Sequence, residues 1–207
     1  MNKLNRLFFG VFALFGASWL GMVAYPYLTF AGLQPNKDDA TGEVVSTGKP
    51  GTAEQGYHVY AANGCVYCHS QIVRDKSDGS DIDREWGKRR TVARDYLFDR
   101  YIFLGASRLG ADLTNIGARQ TDPQWFYRYL YNPQAFSSES VMPAHKWLFK
   151  TVKIDREPSS DAVKLYNVDA PPAGYKVVPT AEGKALVNYL LSLKKNYALP
   201  EAPEPTE

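Results

Sequence analysis

Two cysteines and three histidines are the thiol and imidazole donors of this chain, and three of the five stand together as Cys65-Val66-Tyr67-Cys68-His69. Two thiols three apart with an imidazole directly behind the second are the arrangement that attaches a c-type haem: the thiols add across the vinyl groups and the imidazole takes one axial position on the iron. Two intervening residues let both sulfurs reach one edge of the porphyrin, and the next residue turns its ring under the metal. The competing readings are a disulfide, a redox pair and half of a zinc site. Zinc needs two more nitrogen or sulfur ligands at short spacing, whereas the remaining histidines, His58 and His145, are isolated. A redox pair is expected inside a thioredoxin-like βαβ pattern, which the flanks lack.

A six-coordinate haem needs a second axial ligand. Beyond the N-terminal segment the chain has one methionine, Met142, in Ser140-Val141-Met142-Pro143-Ala144. A thioether opposite the imidazole favours ferrous iron, raises the potential and suits electron transfer rather than oxygen binding. Methionine also fills gaps in cores, and His145 or His58 would give bis-histidine ligation of lower potential, but Met142 is the favoured ligand. The two histidines are expected as partly exposed surface residues.

These residues need elements to hold them. Of 207 residues, roughly the first thirty and the last dozen do not read as globular, which leaves room for one haem domain of ordinary size. The formal net charge of +2 gives no ground for nucleic-acid binding. No charge occurs between Arg6 and Lys37, and about twenty such residues span a bilayer as a helix. Residues 1–33 therefore read as a transmembrane anchor, since Tyr25-Pro26-Tyr27 follows the apolar run with no clear cleavage site. Lys3 and Arg6 put the N-terminus in the cytoplasm, and haem c attachment in bacteria takes place outside the inner membrane, so the haem domain is expected in the periplasm. Tyr25 and Tyr27 suit the interfacial aromatic belt.

Residues 34–50 read as a polar tether and 51–198 as the haem domain. Thr52-Ala53-Glu54-Gln55 has the pattern of a capping box, opening a helix toward Cys65. Thr121-Asp122-Pro123 opens a second helix with Trp125, Phe126 and Tyr129 as its apolar face, ended by Asn132-Pro133. Thr180 caps a third, with Leu186, Tyr189, Leu190 and Leu193 at three-four spacing. Between about 150 and 179 the chain makes an excursion, read mainly as a solvated loop, in which residues 151–154 and 175–178 could be short strands. Residues 199–207 alternate proline and glutamate and read as disordered.

The segment Arg108 to Arg119 resembles the haem-proximal loop of class I cytochromes c. The resemblance implies a mainly α fold, with first and last helices crossing at a glycine that receives an aromatic; Gly56 and Tyr189 are the candidates. It also implies that a loop carbonyl accepts the second ring proton of the proximal histidine, while Leu113 packs on the haem. Relatives commonly have Gly-Pro-Asp-Leu, and this chain has Ala111 in the proline's place. A finer resemblance is to the mono-haem, membrane-anchored subunit II of cbb3-type cytochrome c oxidase. It rests on Cys65-Val66-Tyr67-Cys68-His69-Ser70-Gln71-Ile72-Val73-Arg74, Trp86-Gly87-Lys88-Arg89, the segment 108–119, Leu130-Tyr131-Asn132-Pro133, and Met142-Pro143-Ala144 with Trp147-Leu148. His145 and Lys146 replace an aromatic and a proline usual in relatives. Arg74, Arg89 and Arg119 are candidates to neutralise haem propionates, Arg119 foremost.

The expectation is one covalently bound haem c, held by Cys65 and Cys68 and ligated by His69 and Met142, with Leu113 and Arg119 around it. It would relay single electrons without a catalytic site of its own. By resemblance the acceptor is haem b of the catalytic haem-copper subunit, the donor is a further cytochrome c subunit or a soluble cytochrome c, and membrane lipid surrounds the anchor. The alternatives are the small cytochrome c subunit of nitric oxide reductase and a haem-based gas sensor.

Overall fold

The computed structural model describes residues 2–37, 42, 44, 48–49, 51–154 and 162–205. Most of the expected tether, and Glu157 to Ser160 of the excursion, lie outside them. The chain divides into two compact units, Met1–Ser46 with Ala93–Leu97, and Thr47–Val92 with Phe98–Glu207.

The first unit carries a continuous helix α1, Lys3–Phe30, the one helix among the described residues long and apolar enough to cross a membrane. None of its residues is buried against protein. A helix apolar all round and unburied is in a favourable solvent only when that solvent is lipid. Its ladder widens to a π-helical turn over Leu20–Ala24 immediately before Pro26. Proline lacks an amide hydrogen and clashes with the carbonyl four residues back, and a π-turn is one way to absorb this. Thr29 Oγ1 donates to the Tyr25 carbonyl at 2.8 Å on the far side.

The second unit is built on two crossing helices, α2 (Thr52–Ala62) and α5 (Ala181–Ser192). They approach so closely at Gly56 that a Cβ there would lie 1.9 Å from the Ala185 carbonyl oxygen and 2.7 Å from Tyr189 Cβ. The glycine and aromatic expected to meet therefore do. Tyr189 then packs on Tyr60 and Tyr57, with ring centroids 5.3 and 5.9 Å apart, and all three are buried. The capping box expected at Thr52 does not form. Gly51, at φ 46°, is the N-cap and Thr52 is already helical, its Oγ1 accepting from Asn188 Nδ2 at 2.9 Å. Thr180 does cap α5, accepting from the Gly183 amide at 3.1 Å.

A short α3 (Ile116–Arg119) and α4 (Pro123–Tyr131) lie between them in sequence. Asp122 caps α4 by accepting from the Gln124 amide at 2.9 Å, and of its expected apolar face Phe126 is buried, with Leu130, while Trp125 and Tyr129 are half-buried. The excursion contains two antiparallel strands, β1 (Phe149–Lys153) and β2 (Tyr175–Pro179), in register from Phe149 opposite Pro179 to Lys153 opposite Tyr175. Val163 and Val177 of this region join the buried core with Leu148 and Leu186, so more of it is packed than a solvated loop would be. The end of the chain also differs from expectation: Leu199 and Ala202 are bridged and buried.

Candidate functional site

The thiols and the imidazole come from one tight turn after α2. Gly64, at φ 68°, takes a left-handed conformation that an L side chain adopts only with strain. It reverses the chain into a 3₁₀ turn over Cys65–Tyr67, closed by the Cys68 amide donating to the Cys65 carbonyl at 3.2 Å, and the His69 amide donates to the same carbonyl at 2.9 Å. Cys65 and Cys68 are not joined in a disulfide. Burial pushes the Cys65 thiol up to about 11, opposite to the depressed value of a redox nucleophile. Among the described residues no group of three or more His, Cys, Asp or Glu is placed to hold a bare metal ion.

His69 Nδ1–H donates to the Ala111 carbonyl at 2.7 Å, the contact expected of the loop carbonyl. That bond fixes the tautomer and leaves the Nε2 lone pair for a metal. Gly110 makes it possible, because a Cβ there would lie 2.3 Å from His69 Cε1. The loop is pinned to the motif by the Gly110 amide on the Cys68 carbonyl at 2.9 Å and the Leu113 amide on the Ser70 carbonyl at 2.8 Å.

Cys65, Cys68, His69, Leu113 and Met142 line one cavity of about 490 Å³, a size within the range of cofactor sites. Ile116, Trp125, Phe126, Leu130 and Leu190 make its walls apolar. Gln134 holds the methionine loop, its Nε2 donating to the carbonyls of Met142 at 2.8 Å and Ser140 at 2.9 Å. Two thiols, an imidazole with a free lone pair and a thioether on one apolar cavity fit a thioether-linked haem.

Arg119 does not line this cavity. Its guanidinium donates to the Asp112 carbonyl, because the turn into α3 leaves that carbonyl within reach of the side chain. Arg74 is spent on Asp81 at 2.9 Å and Arg89 on the Tyr197 carbonyl at 2.8 Å. His145 also departs from expectation. It is buried, lines the cavity, and its Nδ1 has no hydrogen-bond partner; burial lowers its pKa from the ordinary value. His58 is exposed, as expected, near Glu54.

The contacts of several site residues escaped the sequence reading. Ser70 and Gln71, named only as part of the family motif, make buried side-chain contacts: Ser70 Oγ donates to Asp112 Oδ2 at 2.7 Å, and Gln71 pairs with the Tyr189 hydroxyl at 2.9 Å. Arg108 and Asp112 lie inside the segment that carried the resemblance but had no role of their own there, and Gln134 carried no signal beyond following Pro133.

A crossing helix pair with a turn that brings two thiols and an imidazole to an apolar cavity, together with one membrane-span candidate, is consistent with the mono-haem cytochrome class. A family model described as cytochrome c oxidase, mono-heme subunit/FixO, matches residues 35–193. The chain belongs to that family, the mono-haem subunits of cbb3-type oxidase. Comparison with curated proteins found no match.

Proposed function

We propose that this subunit relays single electrons from a cytochrome c donor to haem b of the catalytic subunit, through one haem c attached at Cys65 and Cys68. The haem supplies reversible one-electron chemistry, with no substrate bond made or broken. The chain's own residues bind it, orient it and exclude water. His69, held by Ala111, and Met142, held by Gln134, would supply a nitrogen and a sulfur to the iron, and two protein ligands would leave no position open for a gas. Lys3 and Arg6 before α1 support a cytoplasmic N-terminus at the bacterial inner membrane, with the haem domain in the periplasm.

The observation that carries this reading is the meeting of Cys65, Cys68, His69 and Met142 on one apolar cavity in a chain of this family. The family match weighs against a nitric oxide reductase subunit. Met142→His, measured by potentiometric titration of the detergent-solubilised chain, should lower the midpoint potential with the haem still attached. It should also abolish the weak red methionine-to-iron band. An unchanged potential would show that Met142 is not the ligand.

A further inference from the structure

The loop that carries Ala111 is held by a buried charge network. Asp112 is wholly buried. Its Oδ2 accepts from Ser70 Oγ at 2.7 Å and from the Ile72 amide at 2.9 Å, and its Oδ1 accepts from the Thr114 amide at 2.8 Å. Ser70 directly follows His69 and Asp112 directly follows Ala111, so the carboxylate staples together the two backbones that the His69–Ala111 bond joins.

A buried carboxylate needs compensating charge as well as donors. Arg108 supplies it through the Ser70 hydroxyl, which its Nε reaches at 3.0 Å. The same guanidinium donates to the Ile72 carbonyl at 2.7 Å and to Asp81 Oδ1 at 2.5 Å. Asp81 is in turn held by Arg74. Arg119 adds a second cation on the Asp112 carbonyl. The chain of contacts thus runs from Arg74 at the surface through Asp81, Arg108 and Ser70 to the carboxylate behind the proximal ring.

We propose that Asp112 is a positioning residue that orients the His69 imidazole and, balanced by Arg108, sets the electrostatic field behind it and so the reduction potential of the attached haem. This rests on His69 being an iron ligand. A carboxylate near the iron favours the more positive ferric state and lowers the potential; a guanidinium opposes it. In a low-dielectric interior neither is well screened. A role confined to holding the loop would give no such dependence on sign.

The test uses the full chain in detergent, with covalent haem content and midpoint potential measured on each variant. Asp112→Asn, which keeps an acceptor oxygen, should raise the midpoint. Arg108→Gln should lower it, and Arg108→Lys, which keeps the charge, should stay close to the parent. Shifts of the same sign in Asp112→Asn and Arg108→Gln, or no shift with haem intact, overturn the proposal. Should Asp112→Asn fail to retain haem, the Arg108 pair decides: a lower midpoint for Gln than for Lys supports the field, and equal midpoints overturn it. A parent chain with no covalently bound haem would instead defeat the electron-relay reading.

Discussion

Gly56→Ala sets two effects of known size against each other. Alanine is better than glycine inside a helix by about 1 kcal/mol, so propensity alone makes the variant more stable. The crossing with α5 says otherwise. The new methyl would lie 1.9 Å from the Ala185 carbonyl oxygen, 2.5 Å from its carbon and 2.7 Å from Tyr189 Cβ. Two of these three atoms are backbone, which no rotamer change can move. Restoring ordinary contact at 3.4 Å requires the helices to part by about 1.5 Å, the difference between 3.4 and 1.9 Å. Overpacking of this kind costs up to about 3 kcal/mol, and loosening the Tyr57, Tyr60 and Tyr189 cluster adds about 0.5 kcal/mol or more. The net is a loss of about 2 kcal/mol, or a melting temperature lower by about 4–8 °C for a domain of this size. Thermal unfolding followed by far-ultraviolet circular dichroism in detergent measures it. A variant as stable as the parent would refute the close crossing and leave propensity in control.

Gly110→Ala would put a Cβ 2.3 Å from His69 Cε1 and 2.7 Å from Nδ1, displacing the ring and weakening its bond to Ala111. The expected result is an altered ferric electron paramagnetic resonance spectrum and a higher potential at nearly unchanged melting temperature; an identical spectrum would contradict the geometry. Asp81 gives a pH dependence. Burial alone would raise its carboxyl pKa, but hydrogen bonds from Arg74 and Arg108 outweigh that and hold it at about 2, below the unfolded value of about 3.9. A depressed pKa adds stability above the unfolded value that is lost as pH falls from about 4 through about 2, at most about 2.6 kcal/mol. Acid titration of stability in Asp81→Asn should lack that component, and an unchanged acid limb would count against the paired carboxylate.

What the sequence made legible is what depends on residue type at short spacing. Cys65, Cys68 and His69 share one turn, and Thr180 and Asp122 cap helices through contacts two or three residues away. The Gly56 and Tyr189 crossing was reachable only through resemblance, since it joins residues 133 positions apart, 189 minus 56. Thr52 failed as a cap because Gly51 turns the chain with a positive φ and shifts the helix start by one residue. His145 was misjudged for a different reason. Histidine is as often exposed as buried, and its burial here is decided by the loop between Leu130, whose carbonyl accepts the His145 amide at 2.8 Å, and Leu148.

The arginines show why charge near a cofactor loop is hard to assign from sequence. A loop that must deliver one carbonyl to a histidine leaves neighbouring carbonyls and carboxylates without helix or sheet partners, and each buried acceptor needs a donor. Arg119, Arg108 and Arg74 meet that need at the Asp112 carbonyl, at Ser70 with Ile72, and at Asp81. Guanidinium is suited to the task because its donors are several, planar and always charged. Arginines expected to neutralise the cofactor's own carboxylates are therefore committed to the protein first. Under the proposed field effect, the charge of Arg108 reaches the site across the protein interior, so a substitution there should register in the potential although Arg108 does not line the cavity.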